Sequence, residues 1–183
     1  ARVRYYRRLA VAARDLAFDL DLAANAYTEV LKVDHDDLPT LGELCALHRR
    51  RSDWAGLSWA LEMRAQAAEA AGDKRLAAAA MKELSTVHET RLGRMGEALV
   101  AMEKAARLFP EASTLMDLAN LSLRCERPLN ARRALEDVLS TLPKHASPER
   151  MAEVRARLGR ACDLLGDKDA ARVHYAQAFP LRR

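Results

Sequence analysis

The chain contains no isoleucine and only nine valines among its 183 residues. Strands are filled by β-branched and aromatic side chains, so a sandwich, a barrel or a doubly wound sheet has little here to build from. Alanine (36) and leucine (28) supply about a third of the chain instead, and both favour helices. Hydrophobic residues make up 50% of the chain and the net charge is only +4, which excludes a disordered polymer. No apolar run approaches the roughly 20 residues of a membrane span. The opening Ala-Arg-Val-Arg-Tyr-Tyr-Arg-Arg lacks the apolar core of a secretory leader. Cys45, Cys125 and Cys162 are odd in number and widely dispersed, which fits reduced thiols in a cytoplasmic protein better than a disulfide framework.

Lysine and arginine number 30 against 26 aspartates and glutamates, and only six of the 30 are lysines. A basic excess invites a nucleic-acid reading. The acids, however, are interspersed throughout, as at Glu43, Glu62, Glu69, Glu83, Glu89 and Glu97, and a solvated helical surface accounts for them better.

Self-similarity organises the rest. Leu158-Gly159, Cys162, Gly166-Asp167, Ala171, Tyr175 and Ala178 form the clearest unit. The same frame fits Leu115, Leu118, Ala119, Ala131, Leu135, Val138 and Pro143. It fits again at Met81, Leu84, Ser85, His88, Gly93, Ala98, Met102, Ala105 and Pro110. Two earlier units run through Leu41, Leu44, Cys45, His48, Asp53, Leu57 and Leu61, and through Tyr6, Leu9, Ala10, Ala13, Asp19, Ala23, Tyr27 and Val30. Equivalent residues 23, 57, 98, 131 and 171 are spaced 34, 41, 33 and 40 apart, an alternation that implies a two-unit super-repeat. Helical spacing and turn signals predict helices over 3–17, 20–33, 38–51, 54–71, 74–91, 95–108, 112–125, 128–141, 148–165 and 168–179.

This pattern resembles the tetratricopeptide repeat, a helix pair of about 34 residues with a Leu-Gly, an aromatic, a Gly-Asp turn and small alanines at fixed places. The resemblance implies an all-α, right-handed superhelical solenoid of about ten helices. Its five degenerate units would be 3–36, 37–72, 73–111, 112–147 and 148–183, within one domain. In such units small residues at positions 8, 20 and 27 let the two helices approach, and larger ones at 4, 7, 11 and 24 fill the gaps. The family's concave face is lined by positions 2, 5, 9, 12 and 13 of each first helix. Carried across, these are Arg4, Arg7, Val11, Arg14 and Asp15; Pro39, Gly42, Ala46, Arg49 and Arg50; and Ala79, Lys82, Thr86, Glu89 and Thr90. The last two units give Ser113, Met116, Asn120, Leu123 and Arg124, and Glu153, Ala156, Arg160, Asp163 and Leu164. Basic residues outnumber acidic ones, so a positive groove is expected. The family's clamp for chaperone C-termini needs Lys and Asn in neighbouring units. Lys82 and Asn120 match in type but stand in the wrong units, so tail binding is not expected.

Candidate chemistry is sparse. Cys45 and His48 stand at i, i+3, as a metal site or a Cys–His nucleophile could use, but no second pair follows at zinc-like spacing. In the repeat frame both fill packing slots, as do His88 and Cys162. Cys125 falls near a helix end and is expected partly exposed. His35, His145 and His174 are isolated and read as solvated or capping. Asp34, Asp36 and Asp37 form an acidic turn without EF-hand spacing. Trp54 suits packing against the next first helix. Trp59 points elsewhere, either partly buried or as an outer-face interface anchor.

The reading is a non-enzymatic scaffold, without cofactor or metal, that binds an acidic or amphipathic segment of a partner protein. Arg7, Arg14, Arg49, Arg50, Lys82, Thr86, Asn120, Arg124 and Arg160 would supply polar contacts, and Met116, Leu123 and Leu164 apolar ones. Both ends of the array look cut, so a larger parent or self-association through terminal helices is expected. A basic helical repeat for nucleic acid is the alternative, disfavoured because the groove lacks interleaved aromatics for base stacking.

Overall fold

A computed structural model describes residues 2–142 and 147–179. Pro143 of the fourth unit, the isolated His145 and the chain-end Pro180 lie outside the described residues. Among the described residues there are ten helices and no strand. They are α1 (Arg2–Asp15), α2 (Leu20–Leu31), α3 (Leu38–Arg50), α4 (Trp54–Ala70), α5 (Lys74–Thr90), α6 (Met95–Leu108), α7 (Ala112–Arg124), α8 (Pro128–Thr141), α9 (Pro148–Leu164) and α10 (Lys168–Ala178). The chain divides into two compact units: Ala1–Leu108 holds α1 to α6, and Phe109–Arg183 holds α7 to α10.

The helices begin where the chain supplies caps. Asp19, Asp53, Asp73 and Asp167 each accept the backbone N–H three residues on, from Leu22, Gly56, Leu76 and Ala170. Each bond satisfies a donor that a helix N-terminus leaves open and is worth about 1 kcal/mol. Pro128 and Pro148 open α8 and α9, where a missing N–H costs nothing. The residue before each of these aspartates has positive φ: Phe18 (52°), Ser52 (54°), Gly72 (79°) and Gly166 (79°). Gly93 (67°) and Glu126 (56°) do the same ahead of α6 and α8. A left-handed residue stops one helix and turns the chain into the next within a few residues. Glycine meets that geometry freely, whereas Phe18, Ser52 and Glu126 each carry a cost of about 1 kcal/mol.

Packing follows the repeat. The equivalent residues Ala23, Leu57, Ala98, Ala131 and Ala171 are all buried. In the first unit, Leu41, Leu44, Leu47, Leu57 and Leu61 fill a core walled by Ala10, Ala60, Ala65 and Ala105. Each buried leucine contributes about 2 kcal/mol of apolar transfer, and the alanines let backbones approach. Ser85, in a small-residue slot, donates from its hydroxyl to the Ala98 carbonyl at 2.7 Å, so a buried hydroxyl is satisfied across the α5–α6 seam. In the second unit Leu121, Leu135, Val138, Val154 and Leu158 are buried. Gly159 lies under the Tyr175 ring so closely that a Cβ there would come within 2.6 Å of it.

Candidate interaction surfaces

On the first-helix face, α1 and α3 carry the expected arginines, and carboxylates from the next first helix or the turn before it meet them. Arg14 in α1 pairs with Asp15 and reaches across to Glu43 in α3. One repeat on, Arg49 in α3 pairs with Glu83 in α5. Arg7 pairs with Asp37, whose carboxylate also accepts the Thr40 hydroxyl. The side chains of Arg7 and Arg49 remain about half exposed, at 47% and 49%. The arginines thus tie successive hairpins together, through pairs that are screened and individually small. Arg50 is exposed on the same helix as Arg49, and Lys82 is half-buried. Thr86 donates to the Lys82 carbonyl at 3.2 Å.

In the second unit, Asn120 does not stand open for a peptide backbone. Its Oδ1 accepts from Arg157 Nε at 2.9 Å, and Arg157 also pairs with Glu153 at 2.7 Å. Arg157 lies outside the expected groove positions. Met116 is half-buried, while Arg124, Arg160 and Leu164 are exposed. Leu123 departs from the expected surface role. It is 9% exposed and packs against Ala131 and Ala161, because methyl-sized neighbours leave room that a leucine fills.

Cys45 and His48 divide. Cys45 sits in the core, and burial pushes its thiol up to about 11, so no reactive thiolate forms near neutrality. His48 Nδ1 lies 2.8 Å from Asp53 Oδ2, joining the end of α3 to the cap of α4. The Gly56 N–H, and then His48, hold the Asp53 carboxyl below its ordinary 3.8. Among the described residues no three His, Cys, Asp or Glu side chains gather as a metal site. Asp37, expected on an acidic surface turn, is instead buried under Arg7 and Thr40. His174 is also more than a solvated histidine. Its Nδ1 is buried without a hydrogen-bond partner, and desolvation, with Arg155 and Arg132 nearby, lowers its pKa below 6.5. His35 is exposed, Cys162 is buried, and Cys125, at the end of α7, is partly exposed. Trp54 packs partly buried with the Arg91 guanidinium over its ring, 4.5 Å from the centroid.

A second surface lies within the first unit, between α4 and α6 over α5. A cleft of 630 Å³ opens there. Ala55, Ser58, Trp59 and Glu62 line it from α4 at i, i+3, i+4, i+7, one helical stripe. Met81, Leu84 and His88 line it from α5, and Glu97, Val100 and Ala101 from α6. Trp59 keeps 43% of its surface exposed and Val100 63%. His88 is 7% exposed. Its Nε2 lies 3.3 Å from Ser58 Oγ. Nδ1 stands 3.2 Å from Glu97 Oε2, within ion-pair range for a protonated ring, yet makes no aligned hydrogen bond. The residue order hides this cleft: Glu62 and Glu97 read as interspersed surface acids and His88 as filler. The stripe from 55 to 62 is the signal that could have exposed it.

No family model matches the sequence, and no curated protein is similar to it in sequence. Solved structures do resemble it. MamA superimposes with a TM-score of 0.58 at 20% identity, over 98% of this chain and 91% of that one. A putative kinesin light chain from Podosopora anserina, described as having nearly identical TPR-like repeats, gives 0.56 at 16% identity over 99% and 95%. PilF of Pseudomonas aeruginosa gives 0.50 at 17% over 98% and 76%. Within each unit successive helices pack on one another through small residues at repeat spacing, and the chain has an all-α, tetratricopeptide-like helical-repeat fold.

Proposed function

We propose that the chain is a non-enzymatic protein-interaction scaffold whose first-helix face engages an acidic or amphipathic segment of a partner protein. The observation that carries this reading is a pair of half-exposed arginines on the first-helix face, Arg7 of α1 and Arg49 of α3, each already oriented by a carboxylate from its own chain. A guanidinium has five donors in a planar fork, so one held by Asp37 or Glu83 keeps donors for a second carboxylate. Exposed Arg50 adds a cation in the first unit; on the first helices of the second unit, exposed Arg124 and Arg160 supply cations and Met116 and Leu164 apolar surface of the same kind. The likeness to repeat proteins supports the scaffold reading through the fold alone. Nucleic acid is the alternative and is not favoured, because the groove positions themselves carry no aromatic side chain on which bases could stack.

The test is a chain carrying Arg49→Glu, Arg124→Glu and Arg160→Glu together. Partners captured by the wild-type chain should lose at least about tenfold in affinity for this variant, with the helical circular dichroism unchanged. Undiminished affinity would remove these arginines from the binding face.

A further inference from the structure

We propose that the cleft between α4 and α6 is a second docking site, for a basic amphipathic segment of a partner protein. Its walls are apolar and uncovered: Trp59 projects from α4 and Val100 from α6, above Met81 and Leu84. The volume, 630 Å³, falls within the roughly 300–1,000 Å³ of built ligand pockets. Charge decides what fits. Glu62 stands one turn from Trp59, is exposed, and makes no ion pair among the described residues. Glu97 faces it from α6, and Arg94, the one lysine or arginine lining the cleft among the described residues, sits 3.3 Å from Glu97. The cleft therefore holds two carboxylates against one guanidinium on a chain whose net charge is +4.

A lysine or arginine entering here meets the indole face of Trp59 and the Glu62 carboxylate together, one attraction through the ring quadrupole and one through charge-assisted hydrogen bonds. A neighbouring leucine or phenylalanine on the same segment would cover Val100 and the floor. An acidic segment would face two like charges. His88 closes one end of the cleft. Its ring is more than nine-tenths buried, with Nδ1 3.2 Å from the Glu97 carboxylate.

The experiment uses the full chain and two synthetic probes, an amphipathic Leu/Lys peptide and its Leu/Glu counterpart. The two tryptophans give two indole N–H resonances, assigned with Trp54→Phe. Addition of the Leu/Lys peptide should move the Trp59 signal, leave that of Trp54 in place and saturate. Glu62→Lys and Val100→Glu, both at exposed sites, should each weaken binding at least about tenfold without loss of helical signal. The Leu/Glu peptide should leave Trp59 unmoved. Equal binding to Glu62→Lys, or equal response to both peptides, overturns the assignment. So does sedimentation in which the wild type dimerises and Val100→Glu does not, which would give the cleft to a second copy of the chain. The Arg49→Glu, Arg160→Glu chain separates this site from the first-helix face: it should keep the full Trp59 response, and its loss counts against a separate site.

Discussion

Gly56 shows how a single atom decides local stability. A Cβ added there would stand 2.3 Å from His48 Nδ1 and 2.4 Å from Asp53 Oδ2. Alanine normally gains about 1 kcal/mol over glycine inside a helix. At Gly56 that gain is outweighed, because the methyl group must push the imidazole off the carboxylate that caps α4. Gly42, in α3, has nothing within 4 Å of the same position. Gly42→Ala should therefore raise the denaturation midpoint, by about 0.5–1 kcal/mol, and Gly56→Ala should lower it, by about 1–2 kcal/mol. Equilibrium urea unfolding of the two variants reads both signs. The sequence marks His48 as a packing residue, and it does pack. Its bond to Asp53 was hidden because the partner belongs to the next helix, five residues on. Asp37 is illegible for a related reason: among three aspartates in one turn, only proximity to Arg7 and Thr40 tells which is covered.

Helices were the legible elements. Nine of the ten start at the residue expected, because Asp-turn and Pro signals announce a start chemically. Eight of the ten end one or two residues earlier than expected, since the halting residue is often a left-handed Glu126 or Ser52 that no composition rule marks, while α6 and α8 end where expected. Pairing between elements was less legible. Whether Arg14 and Arg49 wait for a ligand or bind the next hairpin depends on Glu43 and Glu83, some thirty residues away. Both members of the α3–α5 pair are substantially exposed, at 49% for Arg49 and 35% for Glu83. A double-mutant cycle on Arg49→Ala and Glu83→Ala should return a coupling of about 0.2–1 kcal/mol. That coupling should fall towards zero in molar salt, because exposed charges are screened there over about 3 Å. A coupling that survives molar salt would mean the pair is drier than its exposure implies.

Across the whole chain, cohesion is unevenly distributed. Helices α1 and α10 each bury two residues, Ala10 with Ala13 and Ala171 with Ala178, whereas α5 buries eight. In a repeat array each element is held by its neighbours, so the ends open first. Hydrogen exchange resolved by peptide should find α1 and α10 least protected and α4 and α5 most protected. Uniform protection would contradict nearest-neighbour stabilisation. About half of the buried apolar residues are alanines, each of which withdraws little hydrocarbon from water. Exposure of that hydrocarbon is what gives unfolding its positive heat-capacity change, usually about 12–15 cal/mol/K per residue. A methyl-lined interior therefore holds that quantity below the usual value, and the curve of stability against temperature becomes broad and shallow. Such a chain changes stability little between cold and warm conditions, and owes that tolerance to the small side chains that let its helices meet.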